Sequence, residues 1–369
     1  MVIFNLTPQL TWRALVLAMA VAPLALSAQT VEPTAPQDWR SANDTVGLLK
    51  RGHMDVLKWE SANPTLEISA PLARQPVISL LTSDEVIRQA WRAHLDLARP
   101  LSQFGSANVS LVATGQWDKL DPSLQRRIDD AGEVLEVATQ ARKAWIQAIA
   151  ASQSLAPFRA ALDSAEAATE LGQRMVNVGN WSKLKLAPLQ LAQATAKMNW
   201  VRAQYAAAQA QASLIKALGL KGQYASVALP DRLPDLPSKP VSEESWRSRA
   251  LLIQDQLPRA NSQRSQTNTD MALDAYQASH ALYQANLDVL KVRDFIGEET
   301  VLHYNGMLSS TWDLLSEASN KSQAVIDAIG AQRDYWLAES DLQWVLQGGQ
   351  PDSFMSFGGG GEAAASAAH

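Results

Sequence analysis

Side chains that could do chemistry are scattered along this sequence rather than grouped. No HExxH, paired CxxC, GxSxG or Gly-rich phosphate loop occurs, so metal-assisted hydrolysis, acyl transfer and nucleotide binding have no starting constellation. Ser182-Lys183-Leu184-Lys185 has the S-x-x-K spacing that can set a serine nucleophile beside a lysine base, but neither SDN nor KTG accompanies it. Its place at a helix start favours capping by Ser182 and solvated lysines. His94, His280, His303 and His369 stand apart from one another. His53-Met54 alone joins two metal-ligating types, and a copper or zinc contact there is weighed against an ordinary surface pair. Glu339-Ser340-Asp341 reads as a solvated helix face, with lining of an assembled tunnel as its functional alternative. With no nucleophile and base to pair, the chain reads as a non-enzyme with no catalytic residue, no metal site and no cofactor.

Composition says what kind of scaffold carries these residues. The chain has 369 residues, 47% of them hydrophobic and 19% charged, enough to build a packed core. Its Ala and Gln enrichment favours long helices over sheet. A net charge of −5 and the lack of a Lys/Arg run argue against nucleic acid as a partner. The twelve Trp are assigned to packing, because Trp145, Trp312 and Trp336 lie on or beside apolar stripes. Residues 1–28 read as a secretory signal, with Arg13 as the only charge, an apolar run from Ala14 to Leu26 and small residues at Ser27-Ala28; a retained anchor is the alternative. Absence of cysteine excludes disulfides and lipidation at a Cys. The expected location is the periplasm of a Gram-negative cell, possible association with the outer membrane being peripheral, and no intrinsic membrane span is expected.

Residues 29–80 carry five prolines among polar residues and read as an extended arm. Thr82-Ser83-Asp84-Glu85 signals a helix start, Thr82 or Ser83 being the cap, and Pro100 is expected to break that helix. From Phe104 to Pro122 only Val109–Ala113 resembles a strand. A 4-3 apolar pattern then runs from Val134 through Trp145 to Val176, with a kink expected near Pro157. After a turn at Gly179 the chain carries two heptad lines. Leu184, Leu191, Met198, Tyr205 and Ala212 form one; Ala187, Ala194, Val201, Ala208 and Ile215 form the other. This is a coiled-coil seam, and its small second line implies a partner helix close against it. Gly219 is expected to close the helix with a positive φ.

Residues 230–241, with Pro230, Pro234, Pro237 and Pro240, form a linker, and the plan then repeats. A short helix from Ser242 to about Gln256 and a polar stretch, Pro258 to Asn268, precede a second seam: Met271, Ala275, Ala278, Leu282, Ala285, Val289, Val292 and Ile296. The turn is Tyr304-Asn305-Gly306, and the return arm ends near Gln347. The expected fold is therefore all-α: two repeated long antiparallel α-hairpins, residues 81–229 and 242–347, followed by a Gly/Ala-rich flexible tail at 348–369. Gly179 and Gly306 hold equivalent places and are both expected at positive φ.

Val178-Gly179-Asn180-Trp181-Ser182 with its Ala/Gln-rich heptad helix to Leu218-Gly219-Leu220, and Tyr304-Asn305-Gly306-Met307-Leu308 with Trp312-Asp313-Leu314-Leu315 and Arg333 to Leu342, together resemble the outer membrane efflux protein family, the TolC-like proteins. The resemblance covers about residues 123–347. It implies three protomers forming a periplasmic helical tunnel, and hairpin tips that meet an adaptor protein. Val178, Gly179, Asn180, Trp181, Ser182, Tyr304, Asn305, Gly306, Met307 and Leu308 would then be the adaptor-contact tips, and the chain a component of an efflux or export system. The family also inserts a strand pair before each long hairpin. Phe104 to Pro122 and Pro258 to Asn268 occupy those places here, and neither has the alternating polarity of a barrel strand. The runner-up is a freestanding periplasmic helical module that binds a metal, protein or small ligand.

Overall fold

Thr82 starts the ordered helices by exchanging hydrogen bonds with Glu85: its Oγ1 accepts from the Glu85 N–H at 3.3 Å, and the Glu85 carboxylate accepts from the Thr82 N–H at 3.2 Å. This capping box satisfies backbone donors that a helix start leaves open. The computed structural model describes residues 77–354 apart from 122, 223–225, 238, 255–258 and 352. The expected leader, nearly all of the Pro-rich arm, His53-Met54 and the tail beyond Phe354 lie outside the described residues. In order these are β1 (Val77–Ser79), α1 (Ser83–Ala93), α2 (Ala98–Ala113), α3 (Leu124–Arg127), α4 (Ala131–Gln153), α5 (Leu155–Asn177), α6 (Lys183–Ala217), β2 (Ser226–Ala228), α7 (Glu243–Gln254), α8 (Arg259–Asn305) and α9 (Thr311–Leu346). The architecture is all-α, two long antiparallel hairpins, α4–α5 with α6 and α8 with α9.

Several boundaries differ from the sequence reading. The first helix stops at His94, whose ψ of 89° leaves the helical region, and Pro100 sits in the first turn of α2, where a missing N–H matters little. Val109–Ala113, read as extended, completes α2. The helix kinks at Gly105 (φ 73°, ψ 156°); Leu97 and Phe104 before the kink and Val112 and Ala113 after it are buried in one cluster with Trp91 and Val134, and that burial overrides the strand preference of a Val-rich run. Residues 259–268, read as a polar stretch, are the start of α8. The two places where a barrel strand pair would lie are thus helical, and the strands among the described residues are β1 and β2, which pair in parallel from Val77↔Ser226 to Ser79↔Ala228. The kink expected near Pro157 falls at Ser154, between α4 and α5.

Within the layer, α4–α5 and α9 are the central elements; α6 packs on α4–α5 from one side and α8 on α9 from the other. Tryptophans tie the base of the layer together, each ring buried while its N–H finds a carbonyl: Trp91 to Val134 at 3.0 Å, Trp117 to Val112 at 2.9 Å and Trp145 to Leu80 at 3.0 Å. The Pro-rich linker is a strap across it. Leu233 is buried, and the Pro234 carbonyl accepts from Gln332 at 2.8 Å and Trp336 at 3.0 Å.

Glu339 and Asp341 lie inside this base rather than on a solvated face. Arg142 on α4 reaches Glu339 at 2.8 Å and donates to Gln343 at 2.9 Å, while Lys143 donates to Asp341 at 2.7 Å. The cations on α4, which a reading of α9 alone could not see, are what permit two buried carboxylates. Burial pushes both carboxyls above the usual range against the pull of Arg142 and Lys143. A carboxyl whose folded pKa is raised makes the fold bind more protons than the unfolded chain. That contribution is present at low pH and lost as pH rises through the folded pKa. Removing Arg142 alone leaves Glu339 uncompensated, so Arg142→Met should destabilise by about 3–5 kcal/mol, and Arg142→Met with Glu339→Leu should recover most of it in urea denaturation. Equal losses for the single and double variants would show that the pair does not act as a unit.

Candidate functional site

The far end of the layer is formed by the two turns. The first closes through Gly179, at φ 81°, whose N–H donates to Val176 at 2.9 Å while the Asn180 N–H reaches Met175 at 2.9 Å. A left-handed residue is what lets the chain leave α5 and enter α6 so quickly. Ser182 then caps α6, accepting from the Lys185 N–H at 3.3 Å, which is the role its S-x-x-K spacing was assigned. The second turn is built differently. Gly306 continues α8, its N–H bonded to Leu302 at 2.9 Å, and Met307 carries the positive φ, at 60°. The expectation of a positive φ at Gly306 is therefore displaced by one residue. Ser310 and Asp313 cap α9 reciprocally, and the Ser310 hydroxyl and N–H hold the Asp313 carboxyl below its usual range.

The ten tip residues are brought to one end of the molecule but differ in exposure. Met307 is 94% and Leu308 79% exposed, and Val178 is also open. Trp181 is half-buried: its ring meets Trp312 at 4.5 Å between centroids, and Lys185 Nζ lies over the ring, 4.4 Å from its centroid. This contact sets the turns of the two hairpins at one level. Its sequence signal was present in Trp181 and Trp312, but no spacing rule links residues from separate hairpins.

The heptad lines form the second feature. Apart from Ile215, every residue of the two α6 lines is exposed, Leu184 at 83%. Apart from Ala275 and Ile296, so is the line on α8. Each helix meets its own chain through a different face: Leu186, Trp200 and Leu214 on α6, and Ala272, Tyr276 and Tyr283 on α8. Among the described residues no helix lies against these seams, and the layer ends in two apolar edges. Between them, over the α4–α5 break and α9, runs a groove of about 920 Å³ lined by small and polar side chains such as Ala206, Gln209 and Asn286, with the Arg333–Asp334 ion pair at 2.6 Å on its floor.

No group of three or more His, Asp or Glu among the described residues is placed to hold a metal ion. No helix among them is long and apolar enough to cross a membrane. The layer presents a tip, two apolar edges and a groove.

The layer of two long hairpins has a TolC-like helical fold. No family model matches the sequence, and no curated protein does. Among solved structures, the chain is similar to CusC, described with conformational changes accompanying folding and transmembrane channel formation, at 11% identity over 72% of this chain and 96% of that one, TM-score 0.51. A membrane protein from Pseudomonas aeruginosa aligns at 14% identity over 58% of this chain and 69% of that one, TM-score 0.46. The Campylobacter jejuni CmeC outer membrane channel aligns at 12% over 72% and 68%, TM-score 0.43. At these identities the likeness is one of fold, and it rests on the CusC match.

If Trp181 and Trp312 hold the tips level, Trp181→Ala should remove about 1 kcal/mol of local stability. Hydrogen exchange should quicken in both turns while the base and the global melt change little. Faster exchange confined to the first turn would mean that the contact does not couple the hairpins.

Proposed function

We propose that this protein is a non-enzymatic component of a Gram-negative export system, a periplasmic helical scaffold or tunnel element that self-associates and meets an adaptor protein through its hairpin tips. The observation that carries the reading is the pairing of the two turns: Trp181 on Trp312 levels them, while Met307, Leu308 and Val178 stand exposed beside the contact. Exposed apolar side chains clustered on a fixed frame suit a protein partner. The TolC-like fold supports the same placement of tips, and by that resemblance the assembly would be a trimer.

A photo-crosslinking residue at Leu308 in the native host should capture a periplasmic helical adaptor, and Met307→Ser with Val178→Ser should abolish capture with an unchanged circular dichroism spectrum. Recovery of only this chain, or capture that survives the tip changes, would contradict the docking role.

The helical segments at 98–113 and 259–268 support a scaffold that does not itself cross the outer membrane. On cell fractionation the protein should appear in the periplasmic fraction, any bound portion being released by high salt. Extraction only by detergent would return it to a membrane-spanning role.

A further inference from the structure

We infer that Asn305 is a site of spontaneous covalent modification: its side-chain amide is displaced by the backbone nitrogen of Gly306 when the second turn opens, leaving aspartate or isoaspartate at the tip. Asn305-Gly306 is the one Asn-Gly pair in the 369 residues. The reaction closes a five-membered ring on the next residue's nitrogen, and a glycine, having no Cβ, leaves that nitrogen uncrowded. Exposure alone does not suffice. Asn180 in the first turn is also exposed, but the bulky Trp181 follows it. The chain and water supply every atom. Gly306 N attacks Asn305 Cγ, the N–Cγ bond forms as the Cγ–Nδ2 bond breaks, and ammonia leaves with the proton that Gly306 gives up. Water then opens the imide. Addition at Cγ yields aspartate; addition at the backbone carbonyl carbon yields isoaspartate, in which the main chain runs through the side-chain methylene. Either product sets a carboxylate beside the exposed Met307 and Leu308.

The closed turn holds the reaction off. Asn305 ends α8, and the Gly306 N–H donates to the Leu302 carbonyl at 2.9 Å. Ring closure needs a ψ at Asn305 outside the helical region and a Gly306 nitrogen freed from that bond. One residue later the turn is strained. Met307 takes the left-handed conformation, φ 60°, which is unfavourable for a residue with a Cβ, while Gly306, which could take it freely, does not. A Cβ added at Gly306 would come no closer than 3.5 Å, to the Leu302 carbonyl, so the closed turn makes no use of the missing side chain. Passing the left-handed position back from Met307 to Gly306 relieves the strain, unwinds the end of α8 and frees the Gly306 N–H. Two hydrogen bonds oppose this opening, Met307 to Tyr304 at 3.0 Å and Leu308 to His303 at 2.8 Å. The side chains add little, since Met307 is 94% and Leu308 79% exposed. None of this depends on what the tip docks against.

Mass spectrometry of the tip peptide, with electron-transfer fragmentation to separate isoaspartate from aspartate, follows the reaction in the intact protein. A synthetic peptide spanning residues 299–313 gives the rate without the turn. Asn305 should convert ahead of every other asparagine among the described residues, more slowly than in the peptide, and faster as pH rises, because the attacking nitrogen must lose its proton. Gly306→Ala should slow conversion on the order of tenfold or more by crowding that nitrogen. Met307→Gly, which relieves the strain where it lies, should slow it about fivefold, the factor that about 1 kcal/mol represents. No product at Asn305 once the peptide has fully converted, or earlier conversion of another described asparagine, would overturn the site. A rate equal to the peptide's, or one that Met307→Gly leaves unchanged, would overturn the control by the turn. Should circular dichroism show that Gly306→Ala loses helix, Met307→Gly, at an exposed position, decides alone.

Discussion

A helix inside a layer has neighbours on two sides, and a helix at its rim has one. This constraint organises the whole molecule. α4–α5 and α9 are flanked within the chain, whereas α6 and α8 each pack on one side and present a second apolar seam outward. Side chains such as Leu184, Leu191, Val292 and Phe295 remain in water in the single chain. At roughly 25 cal/mol per Å² of apolar surface, covering two such edges is a large term compared with the margin by which a domain is stable. Exposed apolar edges of this length are surfaces that a partner can cover.

The densest packing and the proposed docking tips occupy opposite ends of the layer. The base holds the buried tryptophans, the Arg142–Glu339 and Lys143–Asp341 pairs, the linker strap and the strand pairing of Val77 with Ser226. Tyr276 and Tyr335 add a buried hydroxyl contact at 3.0 Å, and burial pushes both phenols up. Toward the tip the buried residues become fewer, Leu162, Gly172 and Leu186 among them, and the hairpins are joined by α5 packed along α9 and by the Trp181–Trp312 contact. The base is densely packed, and the tips present exposed apolar side chains at one level.

Much of this was legible from residue order. The duplication, the hairpins, the Gly179 turn and the cap at Thr82 follow from local chemistry, which a sequence displays. The inner seam of α8 was hidden because it is not apolar: Ala272, Tyr276, Ser279, Tyr283, Asn286, Leu290, Arg293 and Gly297 keep the 4-3 spacing with polar or small residues, and Arg293 is held by Glu317 at 3.1 Å. The outer seam, richer in Leu and Val, drew the reading instead. On α6 the same competition occurs between Leu184–Leu191–Met198 and Leu186–Gln193–Trp200. The burial of Glu339 was equally illegible, since Arg142 lies far away in the chain and only the fold brings it near. Periodicity finds the seams; it does not say which of two seams faces home.

The chain has no native cysteine, so a single introduced thiol reports directly on whether an edge is covered. Leu191→Cys and Val289→Cys should react with a maleimide progressively more slowly as protein concentration rises, while a thiol at exposed Gln173 on α5 should react at a constant rate. Edge thiols whose reaction rate is independent of concentration would contradict the claim that these seams are interfaces between copies.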